Sequence, residues 1–326
     1  MLTARQNLVE VMKGGNPDRF VKQYEFLELI KGIPLPGKPL TEGNEIKDAW
    51  GVLKKWPEGQ PGPFPVHDKE NLVLNDIVNW KSIIKKPSVK FSDEDWAAAV
   101  AHANSVDRSE KFVTAMFITG VFERIHFLMS MEEALMSFYE EPEAMHELID
   151  CITEYELDYA KELVEHIHPD AICHHDDWGS SKSTFMSPAM FEEFILPAYK
   201  KIYGFYKDNG VEVIVHHSDS YAATLVPFMI DMRMDIWQGV MTTNNIPELI
   251  KEYGGKITFM GGLNNGELDK EDWSREEIAE HVEKGCKECG KLYYIPCLIQ
   301  GAPGSTYAGV YDTVNEEIDK VSAKMF

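Results

Sequence analysis

From Phe112 onward the chain repeats one pattern. A short run rich in β-branched and aromatic residues is followed by a longer stretch of helical character. The runs are "FVTAMFIT", "DAICHH", "VEVIVHH", "MDIWQG" and "KITFMGG", and "KLYYIPC" with a last helix closes the chain. Short apolar runs of this kind read as buried strands. Five alternations with helices require a parallel sheet, either closed into a barrel or open and doubly wound. No Gly-rich phosphate fingerprint follows any strand, which weighs against an open nucleotide-binding sheet.

The helix signals agree with this reading. Ser187 caps "SPAMFEEFILPAYKKIYGFYKDNG", with Pro188 in the first turn and Gly210 as the stop. Ser92 with Asp95, and Ser274 with Glu277, have capping-box spacing. An amphipathic helix is expected over roughly Thr3 to Lys13. The segment from Pro34 to Pro65 ("PLPGKPL", "WPEGQPGPFP") reads as hairpins and loops rather than a domain. The expectation is a single domain over 1–326, with an N-terminal helical and loop extension over about 1–110.

Charge and cysteine content exclude several classes. The 326-residue chain carries a formal net charge of −22. A nucleic-acid partner needs a basic face, so none is expected. No apolar run approaches the roughly 20 residues that span a bilayer, and "MLTARQNLVEVMKGG" lacks the uninterrupted apolar core of a signal peptide. A soluble, cytoplasmic protein is expected. Five cysteines, an odd number in a long chain, read as thiols or metal ligands rather than a disulfide framework.

In a parallel α/β barrel, functional groups gather where strands end. His174, His175, Asp176, Asp177 and Trp178 follow "DAIC", and His216, His217, Ser218 and Asp219 follow "VEVIV". Trp237 and Gln238 follow "MDI", Asn264 follows "KITFMGGL", and Cys297 follows "KLYYIP". Imidazole, carboxylate and thiolate converging on one mouth suit zinc. The same residues have plainer readings. A strand-end histidine can be a hydrogen-bonded structural residue, "HHDDW" a polar layer under a loop, and Cys297 a small buried apolar residue. Cys286 and Cys289 form a CxxC in "GCKECG" at the end of a helix, on the far side from the strand exits and with no second CxxC.

Several stretches resemble the uroporphyrinogen decarboxylase superfamily along nearly the whole chain. They are "TARQNLVEVMKGGNPDR", "DDWGSSKSTFMSPAMFEEFILPAYKKI", "HHSDSYAATLVPFMIDMRMDIWQGV", "GGLNN" and "YIPCLIQGAPGSTYAGVYDTV". The resemblance implies a distorted (β/α)8 barrel of TIM type. The decarboxylases of that superfamily carry an Arg-rich "MRQAGR" motif for substrate carboxylates. Here Arg5 and Arg19 are the only arginines in the first hundred residues. The other branch comprises zinc- and corrinoid-dependent methyltransferases, with a His-x-Cys motif and a later Cys as ligands. Placing Pro227 on the matching proline puts His217 on the motif His, Asp219 on its first Cys and Cys297 near the second. His217, Asp219 and Cys297 are therefore the implied zinc ligands, with a carboxylate of "HHDDW" as the alternative to Asp219. Glu132, Glu147 and His168 match another zinc spacing of such enzymes, but His168 precedes a strand and belongs at the opposite end. That is a separation on the order of 15–20 Å.

Replacing a thiolate by a carboxylate makes the metal harder and more electrophilic, suited to polarising an oxygen. The resemblance so read implies transfer of a methyl group from a methoxylated aromatic to cob(I)alamin. Asp176 or Asp177 would be the acid, and His175, Trp178, Trp237, Asn264 and Tyr307 the substrate contacts. No Asp-x-His-x-x-Gly motif is present, so cobalamin would arrive on a partner corrinoid protein, with the segment from Pro34 to Pro65 walling the opening. Transfer from methylcobamide to a thiol or folate, and a decarboxylase, remain alternatives.

Overall fold

The computed structural model describes residues 1–60, 62–301 and 304–326. The N-terminal helix spans Ala4–Lys13, capped by Thr3 in a reciprocal box with Gln6 and ended by Gly14. Strand β1 (Leu27–Leu29) follows. The predicted hairpins form a small antiparallel sheet of β2 (Glu45–Lys47), β3 (Leu53–Lys55) and β4 (Phe64–Pro65). Six further strands alternate with helices: β5 (Phe112–Ile118), β6 (Ala171–His175), β7 (Val213–His217), β8 (Ile236–Val240), β9 (Thr258–Leu263) and β10 (Tyr294–Leu298).

The main sheet has the order β1-β5-β6-β7-β8-β9-β10, and every neighbouring pair is parallel. One interior cluster draws a residue from each of the seven strands. Leu27, Phe112, Cys173, Val215, Ile236, Met260 and Cys297 meet there, joined by Leu8 and Val11 of the N-terminal helix. A sheet whose two edge strands share a core is curled toward itself. The architecture is therefore a partial barrel plugged at one end by that helix. Among the described residues it has seven strands rather than the expected eight, and β1 and β10 are its edges.

Side-chain alternation divides the layers. Ala171, Cys173, Val213 and Val215 point into the interior, whereas Ile172 and Ile214 pack in the outer core under the helices. The inward set of β5 ends in Met116 and Ile118, 43% and 61% exposed. Such exposure of apolar inward residues marks the C-terminal end of the sheet as an open mouth. No helix among the described residues is long and apolar enough to cross a membrane.

The helix Val121–Met129 leads away from that mouth, and its His126 sits among Phe122, Phe127 and His67. Burial, reinforced by His67, holds the His126 pKa down at about 3. The folded chain keeps this imidazole neutral, while an unfolded chain protonates it below about pH 6.5. The unfolded state then binds more protons, so stability falls as pH drops from about 6.5 toward 3, by up to about 1.4 kcal/mol per pH unit. His126→Gln should flatten the stability–pH profile over that window by this slope. Denaturant melts of both proteins between pH 7 and 4 would check it, and parallel profiles would refute it.

Candidate functional site

Strands β6 and β7 both end in two histidines, in register: His174 lies beside His216 and His175 beside His217. Period-two alternation gives the two members of each pair opposite fates. His174 and His216 turn outward and are fully buried under the helix layer. One hydroxyl, Tyr203 Oη, meets both, at 3.2 Å from His174 Nδ1 and 2.5 Å from His216 Nδ1. His175 and His217 turn toward the mouth, where their rings stack with centroids 4.6 Å apart and 16° between planes.

Asp177, two residues past His175, completes a group. Donor atoms of His175, Asp177 and His217 all lie within 4.8 Å of one another. Neighbouring acceptors fix both imidazoles. His175 Nδ1 donates to Glu123 Oε2 at 2.9 Å, and His217 Nδ1 donates to Gln238 Oε1. When neutral, each ring therefore presents Nε2 as its lone pair, the tautomer a metal requires, and a metal bound at His175 would displace a proton from it. Burial alone would lower the His175 pKa, but the hydrogen bond and charge of Glu123, with Asp177 and Asp176, outweigh it and raise it to about 9. Two nitrogens and a carboxylate oxygen suit a borderline divalent ion such as zinc, so the residues present fit that metal.

The surrounding positions are set by backbone. Gly239 occupies a bulge in β8 at φ 89°, and a Cβ there would lie 3.1 Å from the Ser218 backbone. Gln238 is fully buried and donates through Nε2 to the Ile299 carbonyl at 3.2 Å. Asp177 Oδ1 accepts the Asp219 N–H at 3.0 Å. Beside the mouth, a cavity of about 600 Å³ lies between the extension and β5, bounded by Leu35, Trp50, Trp56, Ile118 and Tyr155. Ile118 pairs with His175 in the sheet, so cavity and donor group are neighbours.

A profile of the Uroporphyrinogen decarboxylase (URO-D) family matches residues 83–298, more than half of the chain. The chain belongs to the uroporphyrinogen decarboxylase family. A solved structure of a methyltransferase from Methanosarcina mazei superposes on it with a TM-score of 0.65 at 14% identity. It covers 98% of this chain and 99% of the other. That likeness shows a shared fold. No curated protein matches the sequence.

On this uroporphyrinogen decarboxylase fold the expected site residues divide. His217, His175 and Asp177 come together. Asp219 stands beside them, where burial and the charge of Asp177 raise its pKa and where Gln300 Nε2 donates to its carboxylate. Cys297 points into the interior core, 1% exposed and outside that donor group. Trp178 and Trp237 are fully buried and act from behind the mouth, their indole N–H groups donating to Asp176 Oδ2 and the Ser218 carbonyl. Asn264 caps the short helix Asn265–Leu268. Tyr307 is half exposed, and its backbone N–H donates to Asp269. Glu147 is paired with Lys81, and His168 ends a helix with its carbonyl held by Arg108. Cys286 and Cys289 close the helix Arg275–Cys289 away from the strand exits.

Asp176 differs most from its expected part. It is fully buried, and its carboxylate accepts from Phe122 N (2.9 Å), Glu123 N (2.7 Å), Trp178 Nε1 (3.0 Å) and Tyr199 Oη (2.6 Å). It caps the helix Val121–Met129, whose own N-cap is Gly120 and has no side chain to offer. A Cβ on Gly120 would lie 2.6 Å from the Asp176 Cβ, so only glycine admits this cap. Sequence reasoning missed Glu123 altogether; its one signal was a carboxylate in the first turn after a strand.

Asp176→Ala should therefore cost roughly 2–4 kcal/mol of stability by leaving buried donors without an acceptor. Asp177→Ala should leave the unfolding midpoint nearly unchanged but abolish tight zinc uptake. Denaturant melts with elemental analysis of both variants would decide; equal destabilisation would mean that Asp177 is structural too.

Proposed function

We propose that this chain is a methyltransferase that moves a methyl group from a methoxylated aromatic to cob(I)alamin carried by a separate corrinoid protein. The observation that carries the reading is a sulfur-free donor group, His175, Asp177 and His217, beside an apolar, aromatic-walled cavity at the strand exits. Zinc held there would act as a Lewis acid toward the ether oxygen.

The chain's own residues supply the rest. Glu123 and Gln238 hold the two imidazoles in one tautomer and orientation. The cavity walls stack a flat ring and shield it from water. Methyl transfer breaks the carbon–oxygen bond with its electron pair going to the phenolate oxygen. The acceptor provides the pair for the new bond, so no protein nucleophile is needed. The exposed Met116 and Ile118 leave room at the mouth for a second protein to approach. A decarboxylase handling a polycarboxylate would need several free cations. Arg5 is committed to Asp170 and Glu212 and Arg19 to Asp18, and the two enclosed cations of the cavity, Lys54 and Arg124, share Asp48, too few for a polycarboxylate.

Zinc-loaded protein mixed with cob(I)alamin and a panel of methoxybenzenes should yield methylcobalamin and the matching phenol, followed by absorbance and chromatography. Glu123→Gln should weaken zinc binding by roughly 10–100-fold, the usual effect of losing a carboxylate behind a ligand histidine. If no methoxylated aromatic reacts while methylcobalamin with a thiol or folate turns over, transfer runs the other way.

A further inference from the structure

We propose that the cavity between the extension and β5 selects anions: it takes a ligand with a flat apolar body and one carboxylate, which Lys54 and Arg124 recognise. The inference rests on the methyl-ether reading above and narrows it to methoxylated aromatic acids.

Two enclosed cations, Lys54 and Arg124, line the cavity. Asp48 Oδ2 faces both Arg124 Nη1, at 3.1 Å, and Lys54 Nζ, at 3.5 Å. Its other oxygen accepts the backbone N–H groups of Trp50 and Val52, at 2.9 and 3.0 Å, so this carboxylate is also a structural brace. Two further carboxyl groups lie near. Glu123 is committed to His175. Glu156 is fully enclosed, its polar neighbour is His174 Nε2 at 3.4 Å with no hydrogen bond to either oxygen, and burial with the charge of Asp176 raises its pKa well above the usual carboxylate range. A carboxyl in that setting stays neutral. Among the described residues Asp48 is thus the one carboxylate in contact with the two cations, while Glu123 acts on Lys54 from farther away.

Both cations are well enclosed, with side chains 17% and 8% exposed for Lys54 and Arg124. Burial, then repulsion from Arg124, lowers the Lys54 pKa against the pull of Asp48 and Glu123. An excess charge in a partly dry cavity is costly unless an anion joins it. Aromatic faces stand next to the cations. The Arg124 guanidinium lies 5.3 Å from the Trp50 ring centroid, and Tyr155, Tyr159 and Trp56 line the same space. A planar acid can lay its ring on these walls and point its carboxylate at Lys54 and Arg124. The volume, about 600 Å³, suits a ligand of that size.

The test measures binding without metal, cobalamin or turnover. The metal-free protein is titrated with 4-methoxybenzoate and with its neutral counterpart 4-methoxybenzamide, followed by calorimetry and by tryptophan fluorescence. The acid should bind at least about tenfold more tightly than the amide. Lys54→Gln should bring the two ligands to near parity, and Lys54→Arg should restore the preference, which separates lost charge from lost fold. Equal affinity in the native protein, no measurable binding of the acid, or a preference that survives Lys54→Gln would overturn the inference. Selective binding of the acid with no methyl transfer from any ether would sink the proposed reaction and leave this pocket standing. Transfer from neutral ethers without acid selectivity would do the reverse.

Discussion

The Asp176 carboxylate holds the mouth together. It joins the end of β6 to the first turn of the helix Val121–Met129, and through Tyr199 and Trp178 to the layer behind. The first turn it caps carries Glu123, which orients His175, and also Arg124, which lines the cavity. One buried carboxylate thus positions both an imidazole at the mouth and a cation on the cavity wall. Burial and the nearby charge of Glu123 raise the Asp176 pKa, to about 7, against the pull of its donors. Its ionised form depends on those hydrogen bonds, and a weakened cap would loosen both features at once.

Tyr203 has a parallel duty on the other face of the sheet. Its hydroxyl lies between His174 and His216, and His216 Nε2 donates to the Asp176 carbonyl at 3.1 Å. These contacts pin the outward member of each histidine pair. In a strand the inward neighbour has no independent freedom, because a slip of one residue would exchange the two faces. The registers of β6 and β7, and with them the stacking of His175 on His217, are over-determined from behind.

The parallel fold was legible because its signal repeats: a β-branched run, a polar exit and a capped helix recur along the chain. The family resemblance singles out His217, and alternation puts its neighbour His216 on the opposite face, as found. The donor group was less legible because it is assembled across strands. Aligning Asp219 and Cys297 with family cysteines follows chain spacing, whereas the carboxylate grouped with His175 and His217 in space is Asp177, from the adjacent strand exit. Trp178 and Trp237 looked like ring contacts because they follow strand ends, yet their side chains fall on the buried side. The aromatics that line the cavity, Trp50, Trp56 and Tyr155, come partly from the Pro- and Gly-rich extension. That extension was expected to wall the opening, but composition does not say which of its side chains face inward.

A net charge of −22 repels anions at long range, yet two scales of electrostatics operate here. Many of the acidic groups lie on exposed helix faces, several paired with lysine as in Lys81–Glu147 or Lys200–Asp231. At physiological ionic strength their field decays over about 8 Å. Lys54 and Arg124 act at contact distance, where aromatic walls displace water and screening is weak. Surface charge then slows the approach of an anion without deciding whether it stays. Occupancy is decided by whether two enclosed cations, sharing one carboxylate, gain a second.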